Sequence, residues 1–205
     1  MVYLQTSIRS RALESALEIQ MPTVDVIVVG RYRDFARGLA ERPDAAIALE
    51  PVLRAQGVSY QLRGTRDGQD TEPYVLLSTG APIDKEQRAS LVLGAVDLLG
   101  RERMGTFVQA LLATDRIPDI KYVLKSEDLL SLLQFKSVDA VVLSADEAQR
   151  IRAVSKLVLT TTPLETRVGL VAAAFETDAG RRLIRPIILG LDIESRRRLG
   201  VDAWR

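Results

Sequence analysis

Apolar runs of four to seven residues recur along the chain, each followed by a stretch with helical spacing. That alternation restricts the chain to βα units around mostly parallel sheets. Residues 2–6 read as a strand. Residues 10–19 place Ala12, Leu13, Ala16, Leu17 and Ile19 on one helical face, and Pro22 closes that helix. The run 24–30 is apolar nearly throughout, so it is expected inside a sheet covered on both faces. Residues 32–40 form the next helix and 44–49 the third strand, after which Pro51 opens a short helix.

The texture then changes. Residues 58–63 and 73–78 are strand-like and flank the polar, glycine-bearing stretch 64–70, which reads as a hairpin loop. Residues 79–82 are the first plausible passage into another lobe, and from there the opening plan repeats. Strands are expected at 90–96, 120–124 and 139–143, with helices at 101–114 and 126–135. A further strand at 157–161 precedes Pro163. The apolar run 167–175 is expected to re-enter the first lobe, and helices near 179–189 and 193–199 end the chain.

The expected architecture is therefore α/β, with two βαβαβ lobes joined by two crossing strands and a ligand cleft between the lobes. Lobe one comprises residues 1–79 and 167–205, and lobe two residues 80–166. Pro82 and Pro163, in crossings at 78–82 and 162–166, would fix the backbone at two points and suit hinge closure.

Composition removes several chemistries. The 205 residues contain neither cysteine nor histidine, which excludes disulfides, thiolate metal sites, cysteine nucleophiles and Ser-His-Asp catalysis. No cofactor is expected, because no glycine-rich phosphate signature is present; Gly94 and Gly100 match neither the dinucleotide nor the P-loop spacing. With 28 basic and 27 acidic residues the net charge is +1, which gives no reason to expect a nucleic-acid partner. Arg181, Arg182, Arg185 and Arg196 to Arg198 are interspersed with Asp178, Asp192 and Glu194, the pattern of a solvated helix face. No apolar run approaches the ~20 residues that span a bilayer, so direct membrane insertion is not expected. Val2-Tyr3-Leu4 reads as a strand rather than a leader. The expected location is periplasmic or otherwise extracytoplasmic if a leader has been removed, and cytoplasmic if not.

In open parallel sheets, ligands sit beyond the carboxyl ends of the strands. Those ends carry Thr6 and Ser7, Arg31, Glu50, the loop Asp97-Leu98-Leu99-Gly100-Arg101, and Ser144. Thr6, Ser7, Arg31, Glu50, Asp97, Leu98, Gly100, Arg101 and Ser144 are thus the candidate ligand-binding residues. Gly100 would let the backbone approach a ligand closely, and Arg101 could supply charge. Ser7 and Ser144 could equally serve as helix N-caps, and Glu50 suits the first turn of a helix beginning at Pro51.

The stretch 137–143 after a helix, the segment 82–96 with Lys85 to Arg88 before a strand, and the strand Tyr74-Val75-Leu76-Leu77-Ser78-Thr79 together resemble the type 2 periplasmic solute-binding proteins. The resemblance covers nearly the whole chain, in order of elements more than in identities. Residues 199–204, Leu-Gly-Val-Asp-Ala-Trp, are similar to the phosphate- and phosphonate-type branch. It implies a protein that closes two lobes on a small ligand for delivery to a membrane transporter of the ABC type or to a sensor. Loop 97–101 departs from that branch in having no hydroxyl, which leaves the ligand class open.

Two other functions use the same lobes. One is a small lyase or dehydratase of the menaquinone-pathway type, which here would need Asp97, Glu50, a tyrosine or a lysine as general acid or base. The other is the effector-sensing domain of a transcription regulator, which would need a helix-turn-helix segment, and none precedes Val2. No pair of carboxylates stands at a recognisable catalytic spacing, so a binding protein rather than an enzyme is the expectation.

Overall fold

The structure is a computed structural model that describes residues 1–4 and 10–205. Along the chain its elements begin with β1 (Val2–Tyr3), α1 (Ser10–Gln20), β2 (Val28–Val29), α2 (Tyr32–Ala40), β3 (Ala45–Leu49), α3 (Glu50–Ala55) and β4 (Leu62–Thr65). There follow β5 (Thr71–Ser78), a 3-10 turn (Lys85–Ser90), β6 (Val92–Val96), α4 (Arg101–Leu112), β7 (Asp119–Val123), α5 (Glu127–Gln134), β8 (Ala140–Ser144) and α6 (Ala145–Val154). The chain ends with β9 (Thr160–Gly169), β10 (Val171–Phe175), a π-helical stretch (Gly180–Ile184), α7 (Arg185–Leu189), α8 (Ile193–Arg198) and β11 (Ala203–Trp204). These form two units: residues 1–71 with 169–205, and residues 72–168.

The first unit holds a six-stranded sheet in the order β11-β4-β10-β3-β1-β2. β1 is parallel to β2 and to β3, which is the βαβαβ arrangement read from the sequence. β10 lies antiparallel between β3 and β4, with Val171 opposite Leu49 and Phe175 opposite Ala45. All five residues of β10 are buried, so its unbroken apolar sequence is explained by cover on both faces. Leu13 and Leu17, one turn apart on α1, pack with Ile47, Ala173, Phe175 and Ile188.

The second unit holds a five-stranded sheet in the order β7-β6-β8-β5-β9. β6 is parallel to β7 and to β8, and β5 runs antiparallel beside β8. Leu129 and Leu133 of α5 and Ala148 and Ile151 of α6 cover one face of this sheet, against Val75, Leu77, Val141 and Leu143. The α/β fold with two βαβαβ sheets is as the sequence indicates.

Several local expectations are corrected. The run 24–30 is not a strand buried on both faces: only Val28 and Val29 pair, at the sheet edge, and Ile27 is 48% exposed. Edge pairing leaves one side of a strand without a neighbour, and here the Glu14 carboxylate accepts the Val28 N–H at 2.8 Å. The stretch 64–70 does contain a tight turn, with Asp67 and Gly68 both at positive φ and Arg66 bridged to Gln69. The two flanking strands nevertheless part into different sheets, so no hairpin forms. The C-terminal tail holds the turn instead, through Asp202 to the Asp67 N–H at 3.0 Å and Arg66 to the Gly200 carbonyl at 2.7 Å.

The passages between units also lie elsewhere than at 78–82 and 162–166. β5 pairs with β8 along Tyr74–Ser78, and β9 runs straight through Pro163. Pro163 is accommodated because β9 is an edge strand, where a missing N–H costs no ladder bond. The chain leaves the first unit near Thr71 and returns near Gly169. There the Leu170 N–H donates to the Asp70 carbonyl at 2.9 Å, so the two passages are stitched side by side.

Candidate functional site

In the second unit, the loop after β6 is fixed from both sides. The Asp97 N–H donates to the Val123 carbonyl at 3.0 Å, and the Leu98 N–H to the Val96 carbonyl at 3.0 Å. Leu98 and Leu99 point inward and are 4% exposed each, so Leu98 could meet a ligand only through its backbone. Gly100 stands at φ +79°, which a side chain would resist, and its carbonyl receives the N–H groups of Arg103 and Met104 to start α4. Burial pushes the Asp97 carboxyl up from the ordinary aspartate range, opposed by the Gly100 N–H and by the Arg101 charge.

Tyr122 joins this group, although nothing in the sequence singled it out. Its hydroxyl donates to the Arg101 carbonyl at 3.4 Å. Burial raises its pKa first, the Asp97 charge raises it further, and Arg101 lowers it. The signal that could have found it is register: β7 pairs with β6 in parallel, Tyr122 opposite Ala95, so the end of one strand lies beside the loop leaving the other. Ser144 is spent on structure, because its Oγ accepts the Glu147 N–H at 3.3 Å as the N-cap of α6. It sits opposite Tyr74, a buried side chain whose ring packs edge-on against Phe107. Desolvation holds the Tyr74 hydroxyl protonated.

In the first unit, Thr6 and Ser7 lie outside the described residues. Arg31 occupies the N-cap position of α2 in extended backbone, without a side-chain cap, and its own side chain is exposed. Its carbonyl receives the N–H groups of Asp34 and Phe35 at 3.1 Å. Glu50 begins α3 and is 9% exposed. Its carboxylate pairs with Arg54 one turn on, and its N–H donates to the Leu170 carbonyl at 2.8 Å. Gly169 lies so close that a Cβ there would overlap the Glu50 side chain. The structure thus brings Asp97, Leu98, Gly100 and Arg101 together with Tyr122. It engages Glu50 and Ser144 within their own helix starts.

A cavity of about 700 Å³ is also present in the first unit, but at the opposite end of its parallel strands. Met1, Val2, Ala45 and Ile47 border it, the amino-terminal ends of β1 and β3, together with Ile184 and Ile188. Among the described residues, none of the candidates lines it. Strand-end geometry rather than cavity size therefore defines the candidate site. Among the described residues no group of three or more carboxylates could hold a metal ion, and no helix is long and apolar enough to cross a membrane.

No protein-family model matches the chain, and no curated protein matches it. Solved structures do. PhnD1 from Prochlorococcus marinus, in complex with methylphosphonate, superposes with a TM-score of 0.68 at 14% identity, over 100% of this chain and 90% of that one. A binding protein component of an ABC phosphonate transporter from Pseudomonas aeruginosa gives 0.67 at 14%, over 100% and 80%. The amino acid ABC transporter substrate-binding protein AbpA from Streptococcus pneumoniae, bound to L-arginine, gives 0.63 at 12%, over 97% and 90%. At these identities the likeness defines the fold: that of the type 2 periplasmic binding proteins.

Proposed function

We propose that this chain is a solute-binding protein, taking a small polar ligand at the carboxyl ends of its parallel strands and serving an ABC-type membrane transporter or a sensor outside the cytoplasm. The observation that carries this reading is the fold, matched over nearly the full length by structures of transporter binding proteins. Supporting it, each unit repeats the same parallel trio, so each supplies loops at equivalent strand ends. Thr6, Ser7, Arg31 and Glu50 from one unit, and Asp97, the Leu98 backbone, Gly100, Arg101 and Ser144 from the other, are the residues assigned to the ligand, with Tyr122 added beside Asp97. Arg31 and Arg101 would meet a negatively charged group on the solute; the carboxyl of Asp97 would meet a donor. A ligand that touches both units favours the closed form, and a partner reads that population shift.

The test is a thermal-shift screen with methylphosphonate, inorganic phosphate and L-arginine, followed by small-angle scattering with any solute that stabilises the protein. Binding at 100 times Kd adds about 2.7 kcal/mol, which is readily seen. A true ligand should lower the radius of gyration with unchanged secondary structure, and Arg101→Ala should weaken an anionic ligand about tenfold or more. An unchanged radius at saturation would remove the closure mechanism, and unaltered affinity would exclude Arg101 from the site. Steady product formation that disappears in Asp97→Asn would replace the binding role by an enzymatic one.

A further inference from the structure

The cavity of about 700 Å³ in the first unit lies at the amino ends of β1 and β3, away from the strand-end loops assigned to the solute. A volume of that size is in the range of small-molecule sites. Ala45 and Ile47, both buried, form its floor. One wall is the irregular segment before β2, with Val24 and Ile27, and the other is the helical run after β10, with Leu183 and Ile187. Ile27 is 48% exposed and Leu183 67%, so aliphatic side chains form the mouth as well as the walls. Among the described residues no aromatic ring lines the cavity.

The second wall is anchored to the floor. The Thr177 hydroxyl donates to the Asp44 carboxylate and accepts the Gly180 N–H at 2.9 Å, and the Glu176 N–H donates to the Asp44 carbonyl at 3.1 Å. From that anchor the chain takes the rare π-helical turn Gly180–Ile184, a widened form found mostly as single turns and often at functional sites. Leu183 and Ile184 of this turn line the cavity.

The charge of the lining is one-sided. Among the described residues its charged side chains are Asp25, Glu41 and Asp44, and neither lysine nor arginine reaches it. The Met1 ammonium is the cation at the wall. It donates to the Ala45 carbonyl at 2.8 Å, and burial lowers its pKa against the pull of Asp25 and Asp44. Both carboxylates therefore act on one corner of the cavity. Three carboxylates against a single ammonium leave the lining negative.

We propose that this cavity binds a small amphiphilic amine, with its aliphatic chain between the two walls and its ammonium at the edge formed by Asp25, Glu41 and Asp44. Burial of the chain supplies the affinity and the carboxylates select the charge. The inference stands apart from the solute-binding reading, because the two sites lie at opposite ends of the same strands and share no residue.

Octylamine is the probe, kept below micelle formation at pH 7, with octan-1-ol and octanoate as its neutral and anionic counterparts. Calorimetric affinity and melting temperature are the readouts. Octylamine binds saturably and raises the melting temperature; octan-1-ol binds about fivefold more weakly, and octanoate more weakly still. Asp25→Asn combined with Glu41→Gln, both at exposed positions, brings the amine down to the affinity of the alcohol and leaves the alcohol unchanged. Ala179→Trp, at an exposed position of the lining, fills the mouth and abolishes binding of both. If that variant fails to fold, the double acid variant still decides. A wild type that does not bind octylamine, or binds it no more tightly than octan-1-ol, overturns the proposal. So does amine binding that survives Ala179→Trp, since the amine would then sit elsewhere.

Discussion

The two units are built on one plan and finished differently. Each has a parallel trio whose earliest strand is central, β2-β1-β3 in one and β7-β6-β8 in the other, and each sets an antiparallel strand beside the latest of the three. The difference lies in what closes the third strand. In the second unit Ser144 caps α6 with its hydroxyl, whereas in the first Leu49 offers α3 no side-chain cap and Glu50 pairs with Arg54 instead. A shared scaffold thus leaves the chemistry at its strand ends free to diverge, which is where loops and helix starts can meet a ligand.

Glycine substitutions give the largest expected contrast. A Cβ at Gly180 would overlap the backbone carbonyl of Asp44, which cannot move without disturbing the start of β3. A Cβ at Gly94 would meet only side chains, Val141 at 2.8 Å and Leu132 at 3.0 Å. Gly180→Ala should therefore cost about 3 kcal/mol and Gly94→Ala about 1 kcal/mol. Urea denaturation measures both, and equal losses would show that the two units tolerate crowding alike.

A smaller effect is expected at the helix caps. Ser144→Ala should cost about 1 kcal/mol, and Ser144→Asp should restore most of it, because either side chain accepts the Glu147 N–H. A neutral Ser144→Ala would mean that the two third-strand junctions are equivalent after all.

Acid sharpens the comparison with the smallest signal. Asp70 is held below the ordinary aspartate range by Arg205 and Arg63, and Asp192 by the Ser195 N–H, both in the first unit. Their stabilisation is present above the usual aspartate pKa and is lost as pH falls through the depressed values. Asp97 in the second unit is raised, so its protonated form is the one folding favours, and that contribution fades as pH rises through its folded pKa. Trp204, the single tryptophan, lies in β11 of the first unit and reports on it alone. Below pH 4 its fluorescence should change before the far-ultraviolet signal does. Asp97→Asn should raise the melting temperature at pH 7 and lose that gain in acid. A gain that persists in acid would show that the Asp97 charge is not its source.

The alternation of apolar runs made the two parallel trios legible, because a strand covered on both faces must be apolar nearly throughout, as 45–49 and 140–143 are. The same rule misled at 24–27, where Val24 and Val26 reach the core from an irregular segment rather than from a strand. Proline was read as a boundary at 163, yet an edge strand absorbs it, and edge position is a property of the assembled sheet. Arg88 was noticed only as part of a charged stretch before a strand, yet it is 7% exposed. Its burial depends on α4, which arrives later in the chain. The roles of Glu50 and Ser144 were visible as helix-start chemistry, while Tyr122 entered through strand register, which no local pattern encodes.

The place of β10 carries a consequence for how the chain is made. It fills the gap between β3 and β4, pairing residue 171 with residue 49, and everything between 72 and 168 must leave the ribosome first. Until then the first sheet has a vacant central lane, flanked by the exposed edges of β3 and β4. The second unit is contiguous and can fold as soon as it emerges. Refolding should accordingly be ordered, with the inserted unit fast and the split one slow. During that interval, a strand from another copy could take the vacant lane, making it the point most open to domain swapping.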